Sequence, residues 1–525
     1  MTLASNDRRA WLRLAAATAT TLWLPHSAWS RVRLDSDPFA LGVASGAPAP
    51  DGVVLWTRVD GLELSVREVT LRWEVAHDEQ FTRIARSGQV QALADLGWGV
   101  HAEVNGLEPD RSYYYRFMHG DAVSPVGRTR TLPAPGGKLA RLRVGYASCQ
   151  RWEHGYYAAW RDLRAQEPDL VLFLGDYIYE YPGAANAARS VVGGWVLTLD
   201  DYRARYALHK SDPDLRAMHA ACPWLLTWDD HEVQNDYAGL HEGNAVAVLG
   251  TVANFAARRA AAYQAWYENM PVRASVLTQG VPGLAQGAEM RIYQRVDYGQ
   301  LASLYLVDGR QYRDVQPCLK EGGGGSSMNP DRCPAWHDEQ RSYLGAKQEQ
   351  WLDTTLARSG PQWNVLGQQT LFGLRDNQPG PGQQLWNEGW DGYERARRRL
   401  TDSLQRHAVR NPVLLGGDVH ENWVGHVKAD YANAGSATVG VEFCGTSISS
   451  RSSDTAVAKT PERLAENPHF VFGDAKHRGY GLAEFTPERL SVTLRAVQDV
   501  TRADSAVNTL ASFTVKQGRS QVERQ

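Results

Sequence analysis

Apolar and polar positions alternate along "GVVLWTRV", "VTLRWEVA" and "SYYYRFMHG", all between residues 36 and 132. A period of two predicts strands with one buried face. In "NGLEPDRSYYYRF" a turn precedes a strand whose Tyr113 and Tyr115 share a face, so 36–132 is expected to form a small β-sandwich. "LPAPGGK", residues 132–138, is a Pro/Gly-rich boundary.

The pattern changes near residue 140. "LRVGYAS" and "DLVLFLGD" are apolar runs, and "GYYAAWRDLRAQEP" between them predicts a helix stopped by Pro168. That is a β-α-β unit, and ligands collect beyond the carboxyl ends of such strands. "VANFAARRAAAYQAWYENM" and "QEQWLDTTLARSG" predict helices, and "RIYQRVDYGQLASLYLVDGR" predicts two strands about a glycine turn. No internal repeat and no phosphate-cradling glycine loop is present in the sequence.

The 525 residues exceed one ordinary core and predict at least two domains. A net charge of −3 gives no basic field, which excludes nucleic-acid recognition by charge. Near the N-terminus Arg8 and Arg9 precede an apolar stretch from about Leu14 to Leu24, too short to span a bilayer comfortably. Residues 1–30 therefore predict a twin-arginine signal peptide, engagement with the twin-arginine export machinery and a periplasmic or secreted protein without a transmembrane segment. Of the five cysteines, Cys318 and Cys333 flank a flexible loop and are the favoured disulfide. Cys222 and Cys444 are expected to be buried inert thiols.

Four apolar strands end in groups that can bind metal. "YASCQ" carries Cys149, "LGDYIY" carries Asp176 and Tyr179, "LTWDDHE" carries Asp229, Asp230 and His231, and "LLGGDVH" carries Asp418 and His420. Unpaired carboxylates at the mouth of a sheet repel one another and resist burial, a difficulty a multivalent cation removes. Thiolate and tyrosinate suit ferric iron, whereas the oxygen ligands suit a hard ion such as calcium, magnesium or manganese. The expectation is that ends of a single buried sheet converge to cage neighbouring cations.

The order of "FALGVASGAP", "YASCQ", "GDYIYE", "WDDHEVQNDY", "GGDVH", "EFCGTSIS" and "HRGYG" resembles the alkaline phosphatase D (PhoD) family of the metallophosphatase superfamily. The resemblance covers residues 39 to about 485. It implies an α/β fold, a metallophosphatase-type four-layer α/β/β/α sandwich over 139–500. A small Ig/fibronectin-like β-sandwich domain would precede it, and residues 501–525 would form a C-terminal tail. It also implies a secreted metal-dependent phosphoesterase, an alkaline phosphatase or phosphodiesterase acting through a metal-bridging hydroxide. One iron (Fe3+) would be held by Cys149, Asp176, Tyr179 and His420. One or two calcium ions (Ca2+), or other divalent ions, would be held by Asp176, Asp230 and Asp418, with Asn235 as a further ligand. His231 would act beside the scissile bond and Arg310 would touch phosphate, although Gly309 stands where the family run implies threonine. His477 and Arg478 would lie on the rim. The partners implied are phosphate-ester small molecules, with nucleotides and phospholipid- or teichoic-acid-like diesters as candidates. Two other readings remain from the residues alone: a secreted β-sandwich binding protein, and a metal-dependent hydrolase of another ester bond.

Overall fold

The computed structural model describes residues 37–62, 65–243, 252–320, 323–433 and 435–525. The leader predicted over residues 1–30 lies outside them. Among the described residues no helix is long and apolar enough to cross a membrane. The fold is mixed α/β, with several sheets and few helices. Contacts divide it into two compact units.

The first unit holds the described parts of 1–134, 198–225 and 260–291. The three alternating segments are strands Gly52–Arg58, Glu68–Ala76 and Ser112–His119. Glu68–Ala76 pairs antiparallel with both Ile84–Leu93 and Ser112–His119, while Gly52–Arg58 lies antiparallel between Val43–Ala49 and Gly99–Asn105. One apolar core draws on both groups, with Val53, Leu55 and Val104 against Leu71, Val75, Tyr113, Tyr115 and Phe117. Two helices, Leu199–Lys210 and Pro213–Ala221, start from side-chain caps: Thr198 with Asp201 forms a capping box, and Asp212 precedes Pro213.

The second unit holds the described parts of 135–197, 226–259 and 292–525. Its seven-stranded sheet runs Gln294–Tyr298, Ala302–Leu306, Trp363–Gly367, Pro412–Gly416, Thr438–Cys444, Asn422–Lys428, Phe470–Asp474. A second sheet contains, in order, Val522–Arg524, Val507–Lys516, Arg489–Val497, Arg478–Phe485, Leu142–Ala147 and Leu170–Phe173. Leu142–Ala147 and Leu170–Phe173 are parallel, joined through the helix Ala158–Ala165, which is the expected β-α-β unit. All four residues of Leu170–Phe173 are buried, as an unbroken apolar run in a covered parallel pair requires. Side chains of the two sheets meet, Phe513 against Phe443 and Phe472.

The structure corrects the single-sheet expectation. Leu142–Ala147 and Leu170–Phe173 belong to one sheet of this unit and Pro412–Gly416 to the other, so candidate ligands arrive from two sheets. Residues 501–525 carry the strands Val507–Lys516 and Val522–Arg524, paired antiparallel, because their alternating apolar positions extend the sheet edge. Cys318 and Cys333 form a disulfide with Cα atoms 5.9 Å apart, and Cys149, Cys222 and Cys444 are buried and outside any disulfide.

Candidate metal centre

Four candidate ligands share a backbone state that L-residues seldom adopt. Cys149, Asp176, Asp418 and His420 have φ of 58°, 60°, 63° and 57°. Each left-handed residue costs on the order of 1 kcal/mol or more, so the surrounding structure must hold it there. The turns aim side chains away from the strand line instead of continuing the pleat. Gly175, at φ +109°, lets the Asp176 turn pass Asp229: a Cβ at Gly175 would stand 2.4 Å from the Asp229 Cβ. Gly417 performs the same service beside Ser148, whose Oγ would lie 2.2 Å from an added Cβ.

The result is convergence. Ligand atoms of Cys149, Asp176 and His420 lie within 4.8 Å of one another, as do those of Asp176, Asp229, Asp230 and Asp418. Asp176 also groups with Asp230 and His231, so it stands in every one of these sets. The Tyr179 hydroxyl lies 3.0 Å from Asp176 Oδ2 and 3.2 Å from His420 Nε2, which joins it to the sulfur- and nitrogen-containing set. Nδ1 of His420 faces the Arg451 carbonyl at 3.2 Å, so its hydrogen belongs there and Nε2 keeps a lone pair.

The electrostatics are those of an anionic cage. Burial, then the Asp176 and Asp418 carboxylates, push the Cys149 thiol well up. Burial also raises Asp176 and Asp229 far above the usual carboxylate range, with neighbouring carboxylates adding to it, and lifts Asp418 to about 7. Asp230 is the exception: burial opposes its charge, but Arg310 and His231 outweigh it and hold it low. Burial and Arg478 bring His420 down to about 3, which keeps the imidazole neutral and able to ligate. A buried Oδ1 of Asp230 has no hydrogen bond. Acids that repel each other in a dry site, beside a thiol, a phenol and an unprotonated imidazole, fit bound cations.

The other expected site residues are held in place by protein groups. Arg310 is fully enclosed and bonds the carboxylates of Asp229 and Glu388, with Asp230 Oδ1 at 3.5 Å. Its guanidinium acts as counter-charge within the acidic cluster, not as an open phosphate contact. The added Cβ of a residue larger than glycine at 309 would stand 2.8 Å from Gln369 Oε1, which explains why this position carries none. Asn235 is half-buried and its backbone N–H bonds Glu180 at 2.8 Å. His477 pairs with Asp474 at 3.0 Å. Arg478 is buried and donates to the carbonyls of His420 and Ser450.

Three residues escaped sequence reasoning. Glu232 accepts the backbone N–H groups of Asp176, Tyr177 and Asp229 at 3.0, 2.6 and 2.8 Å, fastening two ligand loops together. Glu180 holds His231 Nδ1 at 2.7 Å. Glu388 receives both Arg310 and Arg313. Glu180 and Glu232 stand inside "GDYIYE" and "WDDHEVQNDY", so a carboxylate next to a ligand was the available signal.

The mixed α/β fold brings strand ends around a buried cage that could hold cations, an arrangement suited to the hydrolysis of phosphoric esters. The model of the family described as PhoD-like phosphatase matches residues 144–494, and that of the PhoD-like phosphatase N-terminal domain matches residues 26–133. The chain belongs to the PhoD-like phosphatase family. It is 41% identical over 497 residues to alkaline phosphatase D of Bacillus subtilis (strain 168), covering 92% of this chain and 82% of that protein. A solved structure described as "Structure of PhoD" is 39% identical, covers 94% of this chain and 93% of that one, and superposes with a TM-score of 0.85.

Proposed function

We propose that this chain is an exported alkaline phosphatase and phosphodiesterase whose centre takes ferric iron at Cys149, Asp176, Tyr179 and His420. Calcium, or another divalent ion, goes beside it at Asp176, Asp230 and Asp418, with Asn235 completing that set. The carrying observation is the convergence of Cys149, Asp176, Asp418 and His420, all in left-handed turns. When bound, two such ions lower the pKa of water toward neutrality and neutralise charge on phosphoryl oxygens.

His231 supplies the leaving-group proton in this reading. Burial disfavours its charge, but Glu180, then Asp176 and Asp230, outweigh burial and raise its pKa well above 6.5. Nδ1 is engaged with Glu180, so Nε2 carries the proton that the departing alkoxide takes. The ring rests against Tyr179, centroids 4.1 Å apart, which limits its rotation. Arg310 steadies Asp229 and Glu388 at the edge of the cage.

The packing of two β-groups over 37–132 supports an Ig/fibronectin-like sandwich domain there, and the two sheets of the second unit support the four-layer arrangement over 139–500. The Arg8–Arg9 leader supports twin-arginine export to the periplasm or medium. Metal analysis of exported protein, with rates on p-nitrophenyl phosphate and bis-p-nitrophenyl phosphate, tests the proposal. Iron with calcium and turnover of at least one of the two esters are expected; a metal-free protein of full activity would overturn it.

A further inference from the structure

Glu180 serves the candidate centre twice. Its carboxylate holds His231 Nδ1 at 2.7 Å, and its backbone carbonyl accepts the Val196 N–H at 3.0 Å. The second bond brings Trp195 back beside the proposed proton donor. Residues 182–197 carry no helix or strand. They are fastened at two places: the Trp152 indole N–H donates to the Ser190 carbonyl at 3.0 Å, and Val196 is buried. Between these points Val192 is 94% exposed, and Gly193 turns at φ +104° with open space around it.

The Trp195 ring is half-buried and meets Tyr181 edge-to-face, with centroids 5.3 Å apart. Tyr181 in turn meets His231 edge-to-face, again at 5.3 Å. Such pairings fix the relative tilt of the rings. The Arg151 guanidinium lies 4.8 Å from the centre of the Tyr181 ring and 5.5 Å from that of Tyr179, and Glu153 holds it at 2.8 Å. Tyr181 is therefore pinned. The row His231, Tyr181, Trp195 runs from a buried ring to two half-buried ones, in two ring-to-ring steps.

Resting on the reading that sets the scissile ester beside His231, we propose that Trp195 determines specificity: it is a stacking face for the base of a nucleoside whose 5′-oxygen is the leaving group. In that hydrolysis the oxygen of water bonds to phosphorus. The bond from phosphorus to the 5′-oxygen breaks, and that oxygen takes the proton from His231. The departing alcohol therefore starts at the buried end of the row. A single aryl ring spans only the first step. A nucleoside spans both, with ribose passing Tyr181 and the base reaching Trp195. Every base has a π-face, so the contact selects nucleosides over sugars and polyols without choosing among bases. Open space at Gly193 and Gly194 leaves the indole room to settle against bases of one ring or two.

The experiment uses full-length wild-type, Trp195→Ala and Trp195→Phe proteins supplied with iron and calcium. Adenosine 5′-monophosphate, ribose 5-phosphate and glucose 6-phosphate each compete with whichever of p-nitrophenyl phosphate and bis-p-nitrophenyl phosphate the wild type hydrolyses faster. The readout is the inhibition constant, which needs no assumption about ester preference. The first two competitors share phosphate, 5′-oxygen and ribose and differ in the base. The nucleotide is expected to inhibit wild type about 10-fold more tightly than ribose 5-phosphate. Trp195→Ala should bring the two constants within about 2-fold of each other, and Trp195→Phe, which keeps a flat ring, should retain most of the difference. The wild-type comparison stands whether or not the alanine variant folds. Equal constants in wild type, or a difference that survives Trp195→Ala, overturn the base contact while the phosphoesterase reading holds. So does glucose 6-phosphate if it binds as tightly as the nucleotide and weakens equally in Trp195→Ala. A wild type that hydrolyses neither p-nitrophenyl ester overturns both.

Discussion

The buried carboxylate of Glu180 lies 2.7 Å from His231 Nδ1 and also accepts the Asn235 N–H at 2.8 Å. One acid therefore sets the tautomer of the proposed proton donor and the course of the loop after it. Glu180→Gln keeps the shape and removes the charge. The expected result is a kcat about 10–100-fold lower with KM changed less than about 2-fold, measured by steady-state hydrolysis of bis-p-nitrophenyl phosphate. An unchanged kcat would remove Glu180 from the machinery.

Asp176 belongs to three of the ligand sets, those that bring in Cys149 with His420, His231 with Asp230, and Asp229 with Asp230 and Asp418. Asp176→Asn should lower both bound metals and activity by at least about 100-fold, read by elemental analysis and turnover together. In chelator the sign reverses. Burial and neighbouring acids penalise the Asp176 charge, and asparagine tolerates the same left-handed turn, so the metal-free variant should unfold at a higher temperature than metal-free wild type. Calorimetry in EDTA decides this. A lower temperature would mean that the carboxylate stabilises the fold without metal.

Gly175→Ala tests the turn itself. The added methyl meets the Asp229 Cβ at 2.4 Å and its backbone nitrogen at 2.6 Å, in a residue already at φ +109°. Both neighbours are fixed backbone or its first carbon, so neither can swing aside. A loss of about 2 kcal/mol or more in denaturant unfolding is expected, with a matching loss of metal affinity.

Lys210 gives a pH signature in the other unit. It is buried with its ammonium 4.0 Å from the Trp56 ring centre, and burial followed by Arg58 brings it from 10.5 down to about 7. Below pH 7 both folded and unfolded chains hold the proton, and the full burial penalty is present. Between about 7 and 10.5 the unfolded chain binds the proton the fold has shed, so this residue makes stability rise with pH across that window. Lys210→Met should flatten that rise and gain on the order of 1 kcal/mol or more at pH 7, measured by urea unfolding at pH 7, 8.5 and 10.

Much of this was legible along the chain because it is local. Periodicity sets which faces are buried, so the strands Gly52–Arg58, Glu68–Ala76, Ser112–His119 and Leu170–Phe173 and the helix Ala158–Ala165 lie where the pattern predicts. Cys149, Asp176, Asp230, Asp418 and His420 announced themselves as ionisable groups directly after apolar runs. A charged group there has either to leave the core or to find a partner.

What the tertiary structure alone decided is non-local pairing. Pro412–Gly416 joins a different sheet from Leu142–Ala147, a matter of strand order that a single strand's pattern does not encode. Arg310 meets Asp229 across 81 positions of chain and Glu388 across 78, which takes it out of solvent and into the acidic cluster. Glu180 acquires its part only because His231 arrives from 51 residues away. Side-chain type and spacing fix what a residue can bind. Which atom it faces depends on backbones brought together by packing, and on left-handed turns that the packing holds against their own cost.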